Sequence, residues 1–200
     1  MSAVRRISSN LSLKHLLTIK QCQLNLWFYN FSSYTNATLN SYGSFVRQLL
    51  ADYEDPLEVN TELEKIGYNI GTRLIDDFLS KTSITKCTSF HDTSELIAYV
   101  GFRMFLNVQA LVGNWSNDRK TFSLVFEHNP LSEFVELPKK WKETLWYSNV
   151  LCGVVRGAVE MVNMKVECWF VRDMLRGDDM NEIRVSLKEV LTEAPPKGDD

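Results

Sequence analysis

The stretch from Thr144 to Asn163, TLWYSNVLCGVVRGAVEMVN, has the composition of a helix with almost no polar face. A helix that is apolar nearly all round is buried nearly all round, so this segment predicts a central helix enclosed by the rest of the chain. Gly153 and Gly157 stand four residues apart and share one side of it, with Ala158 beside them. Glycine within a helix costs about 1 kcal/mol relative to alanine. The pair therefore indicates either close approach of another backbone or space left for something else.

The chain before this segment predicts two further helices. An amphipathic pattern begins near Ala37, continues to Leu50 and stops at Asp55. Asp55, Pro56 and Glu58 then suit a helix start, since they supply a capping carboxylate, a proline at the first helical position and a glutamate in the first turn. The sequence therefore predicts a boundary between two helices at Asp55.

The second of these helices carries its own pair of glycines. It ends near Lys81, and Gly67 and Gly71 again stand four residues apart, which favours close approach of another helix. Its apolar residues recur at spacings of three and four, and they are Val59, Leu63, Ile66, Ile70, Leu74 and Phe78.

A third helix is predicted to start at Asp92 and Glu95, after the polar link KTSITKCTSF. It carries a broad apolar band that consists of Leu96, Ile97, Val100, Gly101, Met104, Phe105 and Val108. The band is two residues wide, broader than a single apolar stripe.

Strand patterns follow. Apolar and other residues alternate in three places, at 122–126, at 166–170 and at 183–187, and 133–137 is predicted as another short strand. Helices first and strands afterwards, with one long helix among them, indicate an α+β fold in which a helical layer packs on a small twisted antiparallel sheet. We expect one domain over residues 37–190 and a flexible C-terminal tail over residues 191–200.

The N-terminal 36 residues differ in charge from the rest of the chain. All 25 acidic residues lie after residue 51, whereas the first 51 residues include five basic ones. A basic, acid-free and serine-rich start fits a mitochondrial presequence, but a disordered extension with no role in the fold explains it equally simply. The disordered extension is the interpretation we prefer. The net charge of −3 does not favour nucleic acid as a partner.

Four cysteines, with no CxxC and no spacing typical of a metal site, favour a reducing, cytosolic setting. Cys152 and Cys168 fall within apolar patterns and are predicted to be small core residues. Neither a metal site nor a set of catalytic residues is predicted.

Cys87 is the cysteine whose neighbours suggest reactivity. Lys86 precedes it and an apolar helix begins a few residues later, and a thiol in such a place tends toward a lower pKa. An acylation site at the mouth of an apolar channel and a buried structural thiol both remain open. His91 lies four residues further on, which leaves open a Cys–His catalytic pair or an incidental surface histidine.

Several long motifs, in order along the chain, resemble the TRAPP small-subunit family. They are NTELEKIGYNIGTRLIDDFL, KCTSF, VGFRMFL, FSLVFEHNPLSEFVELP, YSNVLCGVVRGAVEMVNMKVECWFVRDMLRGD and EIRV. The resemblance extends from about Leu39 to the C-terminus and leaves only the N-terminal extension outside it.

The resemblance implies a non-enzymatic core subunit of a complex that tethers vesicles in transport from the ER to the Golgi. The complex also acts in nucleotide exchange on a Rab GTPase of the Ypt type, to which this subunit would contribute binding surface. Partners would be other TRAPP small subunits through helical interfaces, with a homodimer as an alternative. The GTPase-facing tail corresponds to Leu191, Thr192 and Glu193. Contact with the Golgi membrane would be peripheral, on the cytoplasmic face of cis-Golgi and ER–Golgi membranes, with a further pool in the cytosol.

The resemblance also implies a covalent fatty acyl chain, palmitoyl or similar, and no other cofactor. Cys87 corresponds to the cysteine that carries the chain as a thioester, Lys86 to its basic neighbour, and Gly101 to a small residue in the channel wall, usually alanine. The periodicity of the third helix adds further candidates for the channel, which are Phe90, Ile97, Val100 and Met104.

An enzyme is the alternative function, namely a cytosolic acyl-thioesterase or acyltransferase with Cys87 as nucleophile. It requires an activating base within hydrogen-bond reach, for which the sequence offers Lys86 and His91. An acyl or lipid carrier outside any complex is a third hypothesis.

Overall fold

The computed structural model describes residues 36–82 and 89–191, with side chains from residue 42 onward. Five helices occur in this part of the chain: α1 (Asn36–Tyr53), α2 (Pro56–Thr82), α3 (Phe90–Glu95), α4 (Phe102–Leu106) and α5 (Val150–Glu160). A π-helical segment (Leu96–Gly101) joins α3 to α4, and short 3-10 turns occur at Lys139–Trp141 and Met174–Arg176. The strands are β1 (Leu111–Gly113), β2 (Thr121–Phe126), β3 (Met164–Arg172) and β4 (Asn181–Val190).

The four strands form one antiparallel sheet in the order β1-β2-β4-β3, and the helices cover one face of it. Cys168 pairs with Val185, and Leu124 pairs with Ile183, so the inward residues of three strands meet in register. Along β3 every second residue is buried, as the alternating pattern predicted. The α+β fold predicted from the sequence is confirmed.

The predicted boundary between α1 and α2 is also confirmed. The carboxylate of Asp55 accepts a hydrogen bond from the backbone N–H of Leu57 at 3.0 Å, and the carbonyl of Asp55 accepts one from Val59 at 3.2 Å. Glu54 adopts the left-handed conformation, with φ of 59°, which ends α1. The left-handed residue Glu54 therefore ends α1, and the capping carboxylate of Asp55 begins α2.

The third helix begins earlier than predicted, at Phe90. Ser89 is its N-cap, since the side-chain oxygen of Ser89 accepts a hydrogen bond from the backbone N–H of Asp92 at 3.1 Å. Asp92 therefore lies in the first turn rather than at the cap, where its negative charge still favours the N-terminal end of the helix.

The short strand predicted at 133–137 is wrong. Its first two residues belong to a turn at 131–134, and residues 135–137 have no regular secondary structure. Asn129 orders the start of that turn, because its side-chain oxygen accepts from the N–H of Leu131 at 3.1 Å and its carbonyl accepts from the N–H of Ser132 at 3.0 Å. Asparagine side chains often satisfy backbone donors two residues on in this way. The fourth strand is instead β1, at Leu111–Gly113, where no strand was predicted.

The central helix is shorter than its apolar pattern predicted, since it begins at Val150 rather than Thr144. The segment before α5 is hydrogen-bonded to the side chain of Asn60 in α2. The Nδ2 of Asn60 donates to the carbonyl of Thr144, and its Oδ1 accepts from the backbone N–H of Trp146, each at 2.8 Å. Asn149 then donates to the carbonyl of Asn60 at 2.8 Å. Backbone groups that a helix would use internally are thus bound to α2.

The glycines of α2 and α5 face each other. A Cβ on Gly153 would lie 2.7 Å from the backbone nitrogen of Tyr68, and one on Gly71 would lie 2.8 Å from that of Ala158. Real Cβ atoms do not approach backbone so closely, so the contact requires glycine on both helices. The glycine pair at Gly153 and Gly157 was predicted to indicate either close approach of another backbone or open space, and close approach of another helix is confirmed.

Within residues 36–82 and 89–191, no helix combines the length and the apolar character needed to cross a membrane. The predicted N-terminal extension lies outside the described residues except for Asn36, and so does the predicted tail after Leu191.

Candidate functional site

An apolar cavity lies between the C-terminal half of α2, the α3–π–α4 segment and α5. It encloses about 760 Å³ of space free of protein atoms, part of it open to solvent. Three stretches of chain supply its lining, which consists of Leu74, Ile75 and Phe78, then Thr93, Leu96, Ile97, Gly101, Phe102, Phe105 and Leu106, and finally Leu151, Val154, Val155, Ala158, Val159 and Val162.

The lining offers almost no hydrogen-bonding capacity. Among the described residues that line the cavity, Thr93 alone has a polar side chain. Its hydroxyl donates to the carbonyl of Ser89 at 2.9 Å and lies 3.7 Å from the sulfur of Met164, so it is already engaged. Such a cavity suits an apolar ligand, because a polar one would lose its hydrogen bonds to water without replacement.

The π-helical segment shapes one wall of the cavity. Here the N–H of Phe102 bonds to the carbonyl of Ile97, five residues back, which widens the helix relative to an α-helix. Within the part of the chain that the structure describes, a Cβ on Gly101 would meet the carbonyl oxygen of Leu96 alone, at an ordinary 3.7 Å. Unlike the glycines of α2 and α5, Gly101 is therefore not required by close packing, and its missing side chain leaves room in the cavity.

Of the channel residues suggested by the sequence, Ile97 and Gly101 line this cavity. Val100 and Met104 are half-buried against the core and are not among the lining residues. Leu191, the first residue of the predicted GTPase-facing tail, is held through its N–H, which donates to the carbonyl of Asn163 at 2.7 Å.

Phe90 lies away from the cavity lining, in an aromatic cluster at the start of α3. Its ring centroid is 5.1 Å from that of Phe122 and 6.0 Å from that of Trp115. His91 stacks on the same indole at 5.4 Å, and its Nδ1 lies 3.9 Å from the carboxylate of Asp92.

Cys87 and Lys86, on which the acylation hypothesis depends, lie outside the described residues, as do Thr192 and Glu193 of the tail. The chain on both sides of Cys87 is described: α2 ends at Thr82, and Ser89 caps α3. Phe78 on the one side and Thr93 on the other both line the cavity.

The sequence analysis assigned no residue of α2 to the channel, and on α5 it left open only a space beside Gly153, Gly157 and Ala158, of which Ala158 lines the cavity. Leu74 and Phe78 were assigned to a core stripe, and Val154 and Val155 to a buried helix. An apolar stripe carries no sign of whether protein or a ligand covers it, so the pattern alone could not distinguish these residues from ordinary core.

Two cysteines in the described part of the chain are buried and free, as predicted for small core residues. Burial is the largest effect on both thiols, and it raises the pKa of Cys152 and of Cys168 well above the ordinary value. Neither is therefore a thiolate at neutral pH. The described residues also include no cluster of three or more His, Cys, Asp or Glu that could hold a metal ion.

The fold and the cavity together define the class of protein: a small α+β domain with a carbon-lined interior between its helices. Comparison with known families then assigns it. The family described as "Transport protein particle (TRAPP) component" matches residues 40–186. The chain belongs to this family, as the resemblance in its motifs indicated.

Individual relatives agree with that assignment. The chain is 55% identical over 160 residues to "Trafficking protein particle complex subunit 3" of Dictyostelium discoideum, which covers 80% of this chain and 86% of that protein. It is 48% identical over 161 residues to "Trafficking protein particle complex subunit BET3" of Saccharomyces cerevisiae, covering 80% of this chain and 83% of the relative.

A solved structure shows the same fold with a ligand. It is the crystal structure of a trafficking protein particle complex subunit 3 from Naegleria fowleri, covalently bound to palmitic acid. The two chains are 54% identical, superpose with a TM-score of 0.76, and share 78% of this chain and 95% of that one.

Proposed function

We propose that this chain is a TRAPP core subunit of the subunit 3 type, which carries a fatty acyl chain as a thioester on Cys87. The observation that carries the proposal is the apolar cavity between α2, the α3–π–α4 segment and α5. Its described lining has one polar side chain, that of Thr93, which already donates to the carbonyl of Ser89. Such an interior suits the hydrocarbon part of a palmitoyl or similar group.

Covalent geometry brings Cys87 within reach of this cavity. Two peptide units separate it from Ser89, so the two Cα atoms lie at most about 7 Å apart. From Ser89, the helix rises roughly 6 Å to Thr93 on the cavity wall. A chain attached to the thiol can therefore enter between Thr93 and the end of α2.

The attachment is a thioester exchange. The thiolate of Cys87 attacks the carbonyl carbon of an acyl-coenzyme A, a new carbon–sulfur bond forms, and the bond to coenzyme A breaks. Coenzyme A leaves as a thiolate that takes up a proton. Lys86 beside the nucleophile favours its thiolate form, and each methylene transferred from water to the cavity contributes about 0.8 kcal/mol.

The role of the acylated subunit is to bind and not to catalyse. In this proposal it assembles through its helices with other TRAPP small subunits, or with a second copy of itself, into a vesicle-tethering complex of ER-to-Golgi transport. The complex acts at the cytoplasmic face of these membranes, and the segment from Leu191 through Glu193 contributes surface to nucleotide exchange on a Rab GTPase. Family membership and the relatives named as complex subunits support this role.

Intact-mass spectrometry of protein purified from a eukaryotic host tests the acyl proposal. We expect a species heavier by one palmitoyl or related acyl group, absent from Cys87→Ser and retained in the matched control Cys22→Ser. An unmodified wild-type mass, or an adduct that survives in Cys87→Ser, would contradict the assignment.

Two further measurements address the role. Affinity purification of the tagged chain should recover other TRAPP small subunits, whereas recovery of the free monomer alone would refute assembly. Incubation with an acyl-coenzyme A should release one equivalent of coenzyme A per protein. Release of many equivalents would instead support the thioesterase or acyltransferase alternative.

A further inference from the structure

We infer that a cluster of cations at one end of the protein is a docking surface for an acidic segment of a partner protein. The cluster comes from the 3-10 turn before α5 and from the 3-10 turn between β3 and β4, and its members are Lys139, Lys140, Lys142 and Arg176. We call this set the basic cluster. It involves neither Cys87 nor an acyl chain, so it goes beyond the proposed function.

One hydrogen bond joins the two turns that carry the basic cluster. Nη2 of Arg176 donates to the carbonyl of Glu143 at 2.6 Å, although 33 residues separate the two along the chain, and Glu143 directly follows Lys142. The cations of both turns therefore share one surface. Arg176 follows the end of β3, whereas Met164 at the start of that strand contacts Thr93 of the cavity wall, so the basic cluster is remote from that part of the cavity.

Two members of the basic cluster are held on tryptophan rings. Nζ of Lys140 lies 4.4 Å from the ring centroid of Trp141, and Cζ of Arg176 lies 3.9 Å from that of Trp146. The negative face of an indole attracts a cation in this position. Trp146 in turn stacks on the buried ring of Phe170, with centroids 5.8 Å apart. Because these cations are positioned in advance, less conformational entropy is lost when a partner binds.

The positive charge of the basic cluster is not neutralised within the described ranges, where none of its members forms an ion pair. The acidic residues of the β3–β4 turn are engaged elsewhere: Asp178 accepts from the backbone N–H of Asp173 at 2.7 Å, and Asp179 pairs with Arg172 at 3.0 Å. Four cations together with the carboxylate of Glu143 give this surface a net charge of +3, in a chain whose net charge is −3. The surface therefore complements an anionic partner.

The tryptophans favour a protein segment over a membrane surface as that partner. Proteins that bind anionic bilayers insert apolar side chains at the headgroup level in addition to supplying basic charge. Here Trp141 and Trp146 are half-buried and each has a cation over its ring, so neither projects for insertion. Arg176 uses one N–H donor on Glu143 and keeps others for a paired carboxylate.

Fluorescence anisotropy with a labelled peptide tests the docking surface on the full-length protein. The probe is a flexible peptide that alternates glutamate with serine and glycine, and the control peptide has glutamine at each glutamate. We expect wild type to bind the acidic peptide alone, more weakly as salt is added. Combining Lys139→Gln, Lys140→Gln and Lys142→Gln should raise the Kd roughly tenfold, as the loss of three exposed ion pairs implies.

The matched control removes the same charge from exposed cations elsewhere, which also have no ion pair among residues 36–82 and 89–191. It combines Arg119→Gln, Lys120→Gln and Lys165→Gln, and its Kd should stay within about twofold of wild type. Arg176→Gln, checked for folding by its melting temperature, should raise the Kd about threefold. No binding by wild type, or an equal loss in both triple variants, would overturn the inference.

Vesicles of equal parts phosphatidylcholine and phosphatidylserine test a membrane as the occupant. We expect no sedimentation of wild type with them at physiological ionic strength. If wild type does sediment and the triple lysine variant does not, the basic cluster is a membrane contact and the inference is overturned.

Carbodiimide cross-linking of the affinity-purified complex addresses the partner directly, because this reagent joins a lysine amine to a carboxylate without a spacer. We expect links from Lys139, Lys140 or Lys142 to aspartates or glutamates of another protein. Links confined to carboxylates of this chain would overturn the inference. If no other subunit is recovered, the assembly claim of the proposed function fails, and the peptide measurement still decides whether the basic cluster binds acidic segments.

Discussion

Gly67 and Gly153 lie against each other where α2 and α5 cross: a Cβ on Gly67 would lie 3.0 Å from the Cα of Gly153. The same side of the crossing includes Gly71 and Gly157, so the two helices are in contact through backbone along two turns. No side chain separates the two helices at these glycines. Side chains of α5 lie beside the contact instead, and Val154 and Ala158 among them line the cavity. The close crossing and the cavity are therefore parts of one arrangement.

Replacing Gly153 by alanine should destabilise the protein by about 3 kcal/mol or more. Alanine gains about 1 kcal/mol in helix propensity, but its Cβ would lie 2.7 Å from the backbone nitrogen of Tyr68, and the helices must separate. Chemical denaturation of the variant measures the loss. Gly113→Ala is the control, since a Cβ there meets nothing within 4 Å. Similar midpoints for both variants would contradict the packing described.

Gly101→Leu should block acylation without unfolding the protein. The new side chain would project into the cavity, where its Cβ has one neighbour among the described residues, the carbonyl oxygen of Leu96. We expect the acyl adduct to fall at least about tenfold, because methylenes excluded from the cavity stay in water, while the melting temperature is retained. Tyr99→Leu, at a position of the same segment that is 47% exposed, is the control. Full acylation of Gly101→Leu would show that the chain lies elsewhere.

Asp173 should make the protein less stable as pH rises. It is fully buried, one carboxylate oxygen accepts from the N–H of Leu175 at 2.9 Å, and the other has no hydrogen-bond partner among residues 36–82 and 89–191. Burial raises its pKa above the ordinary value of 3.8. Ionisation therefore favours unfolding, and stability is lost as pH rises from that value through the folded pKa. We expect Asp173→Asn to gain stability relative to wild type as the pH rises from about 4 through the folded pKa, as measured by denaturation at each pH.

Glu182 provides the control, because its pKa is shifted in the opposite direction and its effect on stability should change with pH in the opposite way. Burial alone would raise its pKa, but hydrogen bonds from Ser123, Arg172 and Asn114 outweigh that effect and hold the pKa below the ordinary value of 4.5. Its contribution is thus present above that value and lost as pH falls through the folded pKa. Glu182→Gln should therefore be less stable than wild type at neutral pH and approach it in acid. The same pH trend in both variants would refute the account of Asp173.

Cys152 and Cys168 should resist alkylation in the native protein. Burial raises the pKa of both thiols, and the thiolate is the reactive species. Iodoacetamide at mildly alkaline pH, followed by peptide mapping, should leave both unmodified until denaturant is added, whereas Cys87 freed of its acyl group should be labelled first. Rapid native labelling of Cys168 would indicate that β3 opens far more easily than its packing implies.

Helices and strands whose apolar residues recur at regular spacing were predictable, because the spacing shows which face of the element is buried. Asp55 and Pro56 marked a corner that the structure confirms through the hydrogen bond to Leu57. The strand pattern of β3 specified its buried face residue by residue. These predictions depend on local propensity and burial alone, which act on each segment separately.

Elements that depend on a distant partner were predicted wrongly or not at all. The central helix begins at Val150 because Asn60, far away in sequence, binds the backbone of Thr144 and Trp146. The segment at 133–137 was predicted as a strand, but Asn129 orders a turn at 131–134 that includes its first two residues. No local pattern contains such information, since the competing hydrogen bonds come from another element or from turn chemistry.

The sequence by itself determined an enclosed central helix, an α+β arrangement, a family and a candidate acyl attachment at Cys87. The sequence left two interpretations of the helix glycines, namely that another backbone lies opposite each of them or that open space does. The tertiary structure assigned them separately: Gly153 and Gly157 meet α2, whereas Gly101 faces the cavity. The physical reason is that a missing side chain looks the same in sequence whether backbone or empty space lies opposite, and only the crossing of α2 and α5 decides which.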